Sequence, residues 1–207
     1  PGSGWGPGGG AGAPLAPEAP RPVLPAVTDP VTGLERQALA VMVQLPLMAG
    51  AAGADSIEAA AFANPVHRAV FEAVQAAGGA ARALDEVRAL AVDGRGREEV
   101  ERAALARWVE QVRLGAGPEV DAALTALAVV ELPVAGRRGA GEGLDTDSAE
   151  RYARDVITSL ARMGVNRRLT ELRGRQRRMS PQDEGYREVF EEIVGLENKR
   201  MQLSMRS

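Results

Sequence analysis

The sequence predicts an all-α fold, a small helical bundle joined by one long helix to a C-terminal helical hairpin. Three observations carry this. Apolar residues recur at three-four spacing along most of the chain, and no useful length of strand-type alternation appears. Hydrophobic residues make up 45% of the sequence but aromatics only 3%, so the apolar content is mostly Ala, Val and Leu, which suits close-packed helices better than a β-sandwich. The third observation is a change of face inside the stretch Ala149–Met179. Ala149, Ala153, Val156, Leu160 and Met163 form one stripe, but the next positions in that phase are Arg167 and Thr170. Val165, Leu169, Leu172, Gln176 and Met179 form a second stripe two residues out of phase, rotated by roughly 200° at about 100° per residue. Gly164 sits at the switch. One helix therefore serves two packing partners, a bundle over residues 31–163 and a hairpin over residues 164–207. Gly164 is expected to act as a joint between them, because glycine weakens helix interiors.

The elements follow in order. Residues 1–30 are dominated by Pro, Gly and Ala and read as a flexible interdomain linker, too poor in apolar periodicity to offset its ordering entropy. A helix is expected over Leu34–Met48, capped by Thr32 and ended or kinked near Leu45 by Pro46. A short helix over Ser56–Phe62 is expected next, capped by Asp55 or Ser56. Asn64-Pro65 is a strong start signal, an N-cap followed by Pro at the first helical position, and Gly78-Gly79 stops that helix. Weaker periodicity covers residues 82–92, a clear helix Glu98–Leu114, and another Glu119–Ala128. Val129–Val134 reads as extended and residues 135–147 as a polar, Gly-rich loop. Asp147 or Ser148 should cap the long helix. Ser180-Pro181-Gln182-Asp183 combines an N-cap, Pro and an acid in the capping-box place, so the last helix is expected over Gln182–Leu203.

Composition excludes several classes of chemistry. There is no Cys, so disulfides, thiolate zinc sites and Cys nucleophiles are ruled out. His67 is the only His, so no multi-His metal site can form, and no cofactor is expected. No apolar run approaches the length of a membrane span, no signal pattern opens the chain, and the expected compartment is the cytoplasm. The net charge is −3, so the whole chain is not a general nucleic-acid binder.

Candidate sites are few. Gly136-Arg137-Arg138-Gly139-Ala140-Gly141-Glu142-Gly143 is Gly-rich, but it lacks the Lys and the Ser or Thr of a phosphate loop and reads as a flexible loop. His67 falls in a helix's first turn with no nucleophile or orienting acid signalled nearby, so a surface or half-buried structural role is expected. No catalytic residue is assigned. Arg162, Arg167, Arg168, Arg173, Arg175, Arg177 and Arg178 form a basic run with Glu171 as its one acid. The next helix supplies Asp183, Glu184, Glu188, Glu191, Glu192 and Glu197, so the two faces are expected to pair across the hairpin, with an acidic partner or nucleic acid as the alternatives. Tyr186, Val189, Ile193, Leu196 and Leu203 can close the seam against Val165, Leu169, Leu172 and Met179. Phe190, Val194 and Met201 form a second apolar row that a two-helix hairpin cannot cover. The candidate partner-binding surface is therefore Tyr186, Phe190, Val194 and Met201, rimmed by Glu197 and Arg200.

Leu34-Glu35-Arg36-Gln37-Ala38-Leu39, Gln44-Leu45-Pro46 and Phe62-Ala63-Asn64-Pro65-Val66-His67-Arg68 with Phe71 resemble the helicase-binding C-terminal domain of bacterial replicative DNA primase, the DnaG type. Arg167-Arg168-Leu169 through Leu172, Gln176-Arg177-Arg178-Met179-Ser180-Pro181, Tyr186 through Phe190, Leu196-Glu197 and Arg200 resemble that domain's tail. The resemblance implies a bundle followed by a hairpin that docks on the N-terminal domains of the hexameric replicative helicase. It also implies a second partner of related domains, the acidic C-terminal tail of single-stranded DNA-binding protein, for which no pocket can be placed on these residues. Primer synthesis would belong to a parent protein rather than to this fragment. Two alternatives stay open, the N-terminal domain of the replicative helicase itself and an Arg-rich helical nucleic-acid-binding module.

Overall fold

The computed structural model describes residues 24–91, 96–133 and 145–205. Helix α1 spans Pro30–Gln44. Its cap is Asp29 rather than the expected Thr32: the Asp29 carboxylate accepts from the Thr32 amide at 2.9 Å and from its hydroxyl at 2.7 Å. These bonds hold the exposed Asp29 carboxyl below its ordinary pKa. Pro46 ends α1 as predicted and starts a new helix, α2 Pro46–Ala51. The expected helix over 56–62 is instead two 3₁₀ turns, Ala54–Ser56 and Ala59–Ala61. Asp55 caps a different helix, accepting from the Ala80 and Ala81 amides at 2.8 and 2.9 Å. That helix, α4 Gly79–Leu90, begins earlier than its weak periodicity implied. Gly79 adopts φ +64, and a Cβ there would collide with the Asp55 carboxylate, so only glycine admits this cap.

Helix α3, Pro65–Ala76, starts as read, with the Asn64 side chain accepting from the Val66 amide at 2.9 Å. Helices α5 Arg97–Leu114 and α6 Pro118–Leu127 follow. Residues 130–132 carry no strand pairing, and Leu132 is buried. The Gly-rich segment 136–143 lies outside the described residues. Helix α7 runs without interruption over Thr146–Gln176, from Asp145 rather than from Asp147 or Ser148. Helix α8 is Tyr186–Ser204, shorter at its start than predicted. The Ser180–Asp183 signal closes a local turn instead, in which Asp183 accepts from the Ser180 amide at 2.8 Å and donates its own amide to the Ser180 carbonyl at 2.9 Å. Among the described residues there is no strand, so the all-α expectation holds.

One core joins α1 to α6 and the first half of α7, with Phe62, Phe71, Trp108, Leu39, Leu124 and Leu160 fully buried. Phe62 and Phe71 pack ring on ring at 4.8 Å. Trp108 donates its indole N–H to the Gly79 carbonyl at 2.9 Å, which satisfies its polar edge inside the core. Gln44 closes the lower edge by donating to the Leu127 and Val130 carbonyls at 2.7 and 2.9 Å. Leu24, read as linker, is itself buried in this core. The ordered packing thus reaches several residues upstream of α1.

Candidate functional site

The second half of α7 leaves the bundle and pairs with α8. Val165, Leu169, Leu172, Val189 and Ile193 are buried together, with Met179, Leu196 and Leu203 packed against them. This is the seam that the second stripe predicts. The basic and acidic faces also meet as expected. Arg168 donates to Glu192 at 2.8 Å, and Arg173 pairs with Glu197. The bond from Arg168 to Glu192 raises that guanidinium above its ordinary value. Both arginines are nearly half exposed, so these pairs orient the hairpin more than they stabilise it.

The junction differs from the expected joint. At Gly164 a Cβ would sit 2.6 Å from the Cβ of Ala61, and helix α7 continues straight through. The glycine is there to let the second 3₁₀ turn press against α7. Arg167, at the position where the first stripe would have continued, donates to the Ala60 and Ala61 carbonyls at 3.2 and 3.1 Å. From α8, Lys199 reaches Glu58 at 3.3 Å. Three contacts therefore fix the root of the hairpin to residues 58–61.

Below this strap lies a pair that periodicity does not reveal. Glu35 and His67 are both fully buried, with Oε2 of Glu35 3.0 Å from Nδ1 of His67. His67 is thus a core residue, not the surface or half-buried one expected. Glu35 also accepts from the Ala63 and Asn64 amides at 2.5 and 3.2 Å, and the Arg167 guanidinium stands 3.9 Å away. A buried carboxylate is costly unless its lone pairs are taken up, and here two backbone amides and an imidazole do so. The arrangement fixes the turn that leads into α3. The bonds of Glu35 and His67 are all internal, and neither side chain meets solvent, so the pair is built for structure rather than for proton transfer to a substrate.

On the outside of α8 the predicted surface residues come together as one exposed row. Phe190 is 51% exposed, Val194 45% and Met201 62%. They are four and seven positions apart, which places them on one helical face. Tyr186 is half-buried at the start of the helix. Glu197 and Arg200 pair at 2.6 Å, and Glu197 also holds Arg173, so the rim charges are tied back to the hairpin. Met205, exposed at 74%, extends the row and was not singled out in the sequence because it falls beyond the expected helix end. Among the described residues no group of three His, Asp or Glu side chains could hold a metal ion, and no helix is long and apolar enough to cross a membrane.

Comparison with known proteins places these features. The DNA primase of Mycobacterium leprae is 28% identical over 192 residues, which is 92% of this chain and 25% of that protein. The DNA primase of Mycolicibacterium smegmatis is 27% identical over 190 residues. The chain spans about a quarter of the length of these curated relatives. A solved structure, the helicase binding domain of primase from Mycobacterium tuberculosis, matches 84% of this chain and 91% of its own at 25% identity and a TM-score of 0.54. The family described as DNA primase DnaG DnaB-binding matches residues 35–188, which takes in the bundle, the junction and the start of α8. The chain belongs to this DnaB-binding family of DnaG-type primases.

Proposed function

We propose that this chain is the helicase-docking part of a bacterial DNA primase and that it holds primer synthesis at the unwinding fork. The bundle and strap act as a mount, and the hairpin presents α8 to the N-terminal domains of the hexameric replicative helicase. Phe190, Val194 and Met201, with Tyr186 at one end and Glu197 and Arg200 at the rim, form the contact. The supporting observation is the exposed apolar row itself: three large side chains lie on one face of a helix whose other face is already buried in a seam. The polymerising chemistry belongs to the rest of the parent protein, and this part works without a cofactor. The family membership favours docking over the alternative of a nucleic-acid module. So does the basic run, because Arg168 and Arg173 are engaged with acids of α8 and Arg167 with backbone carbonyls. A related acidic tail from single-stranded DNA-binding protein is a further partner class for such domains, here without an assigned pocket.

Titration of the chain onto the cognate helicase hexamer, beside a gel shift on single-stranded DNA, tests this. Saturable binding to the hexamer with negligible DNA shift is the expected result. Tight DNA binding without helicase binding would reverse the assignment.

A further inference from the structure

Six methionines carry all the sulfur of the chain, because there is no Cys, and the fold sorts them into two groups. Met42 is buried in the bundle core, and Met48 and Met163 are half-buried against it. Met179 is half-buried against the hairpin seam. Met201 and Met205 belong to neither packing cluster. They are 62% and 74% exposed and stand four positions apart, one turn along the same face of α8, at the end of the open row. A thioether reacts with an oxidant according to its access to solvent. The two methionines open to attack therefore both lie in the row that the proposed docking uses, and no thiol of the chain competes for the oxidant.

We propose that Met201 and Met205 form an oxidation site at which a hydroperoxide weakens docking to the helicase. This rests on the docking function proposed above. The sulfur lone pair attacks one peroxide oxygen. The S–O bond forms as the O–O bond breaks, and sulfur gives up two electrons. The second oxygen takes up the proton of the first and leaves as water. Each thioether becomes a sulfoxide, a polar and chiral group in place of a flexible apolar one. In the free chain the sulfoxides stay hydrated, and Leu196 and Leu203 still hold this end of α8 to the seam. In the docked state that water must be stripped, and a polar group buried without a partner is costly. Oxidation thus changes the affinity and leaves the fold as it is. Reduction of the sulfoxides restores the apolar surface.

The test treats the whole 207-residue chain with dilute hydrogen peroxide and then removes the peroxide. Peptide mass spectrometry locates each added oxygen, circular dichroism follows helical content, and titration gives Kd for the untreated cognate helicase hexamer. Sulfoxide should appear at Met201 and Met205 well before the other four methionines, with helical content kept and binding weakened about 5- to 50-fold. Methionine sulfoxide reductases for both epimers should restore the starting Kd. A variant carrying Met201→Leu and Met205→Leu is compared only with itself before and after peroxide, and its Kd should not change. If both sulfoxides form and Kd stays that of the untreated chain while Phe190→Ala binds weakly, docking stands and this inference is overturned. If Phe190→Ala also binds as the parent does, the docking face is misplaced and the inference falls with it. Earlier oxidation of Met42 or Met163, loss of helical content, or an equal loss of affinity in the leucine variant would overturn it as well.

Discussion

The bundle and the hairpin bury their apolar residues in opposite ways. In the bundle Phe62, Phe71, Trp108, Leu124, Leu127 and Leu160 are covered from several helices at once, and the large apolar residues left exposed, Val27, Leu84, Leu114 and Val129, stand singly on different elements rather than in a row. In the hairpin only Val165, Leu169, Leu172, Val189 and Ile193 are buried, while Phe190, Val194 and Met201 stand in solvent on the same helix. Their charges differ in the same sense. The bundle hides the Glu35–His67 pair completely, whereas the ion pairs of the hairpin lie at its surface. A hairpin that closes one seam and leaves a second row open keeps an apolar face accessible, which is what the proposed docking uses.

The contrast can be broken most severely from the bundle side. Glu35→Ala leaves the Ala63 and Asn64 amides and Nδ1 of His67 buried without their acceptor. We expect a loss of about 3–5 kcal/mol in chemical denaturation, enough to unfold much of the bundle at ordinary temperature. A loss below about 1 kcal/mol would mean that water replaces the carboxylate, and that the site is less closed than its zero exposure implies. At the junction, Gly164→Ala should cost about 1–3 kcal/mol, because its Cβ would lie 2.6 Å from that of Ala61 and the 3₁₀ turn would have to move. Here the sign is decisive: a free joint in a helix would instead be stabilised by alanine. On the hairpin the same kind of change should matter least. Arg168→Ala removes a bond to Glu192 between side chains each 43% exposed, and about 0.2–1 kcal/mol is expected, declining further in high salt.

The all-α class, the bundle-then-hairpin order and the open row on α8 were legible in the sequence, because each rests on periodicity that any packed helix must show. Asn64-Pro65 was legible for the same kind of local reason, since cap and proline act within one turn. What escaped was set by distant contacts. Asp55 resembles a cap for the residues that follow it, yet it caps α4 from 25 positions away. Glu35 sits on a buried face where a carboxylate looks out of place until the turn before α3 folds over it. Gly164 falls where the stripe changes face, and a glycine there fits a hinge and a close approach equally well; only the position of Ala61 separates them. The Ser180–Asp183 capping pattern is real, but it closes a turn, because Gly185 with φ 83 starts the helix later.

The most direct test of the account is the affinity of the cognate helicase for Phe190→Ala, measured beside helical content by circular dichroism. Phe190 is 51% exposed and lies off the seam, so the hairpin should keep its helicity while Val189 and Ile193 stay buried. Burial of a Phe side chain contributes about 1.5–3 kcal/mol, so binding should weaken by about 10- to 100-fold. Unchanged affinity with unchanged helicity would contradict the account and move the helicase contact off the outer face of α8.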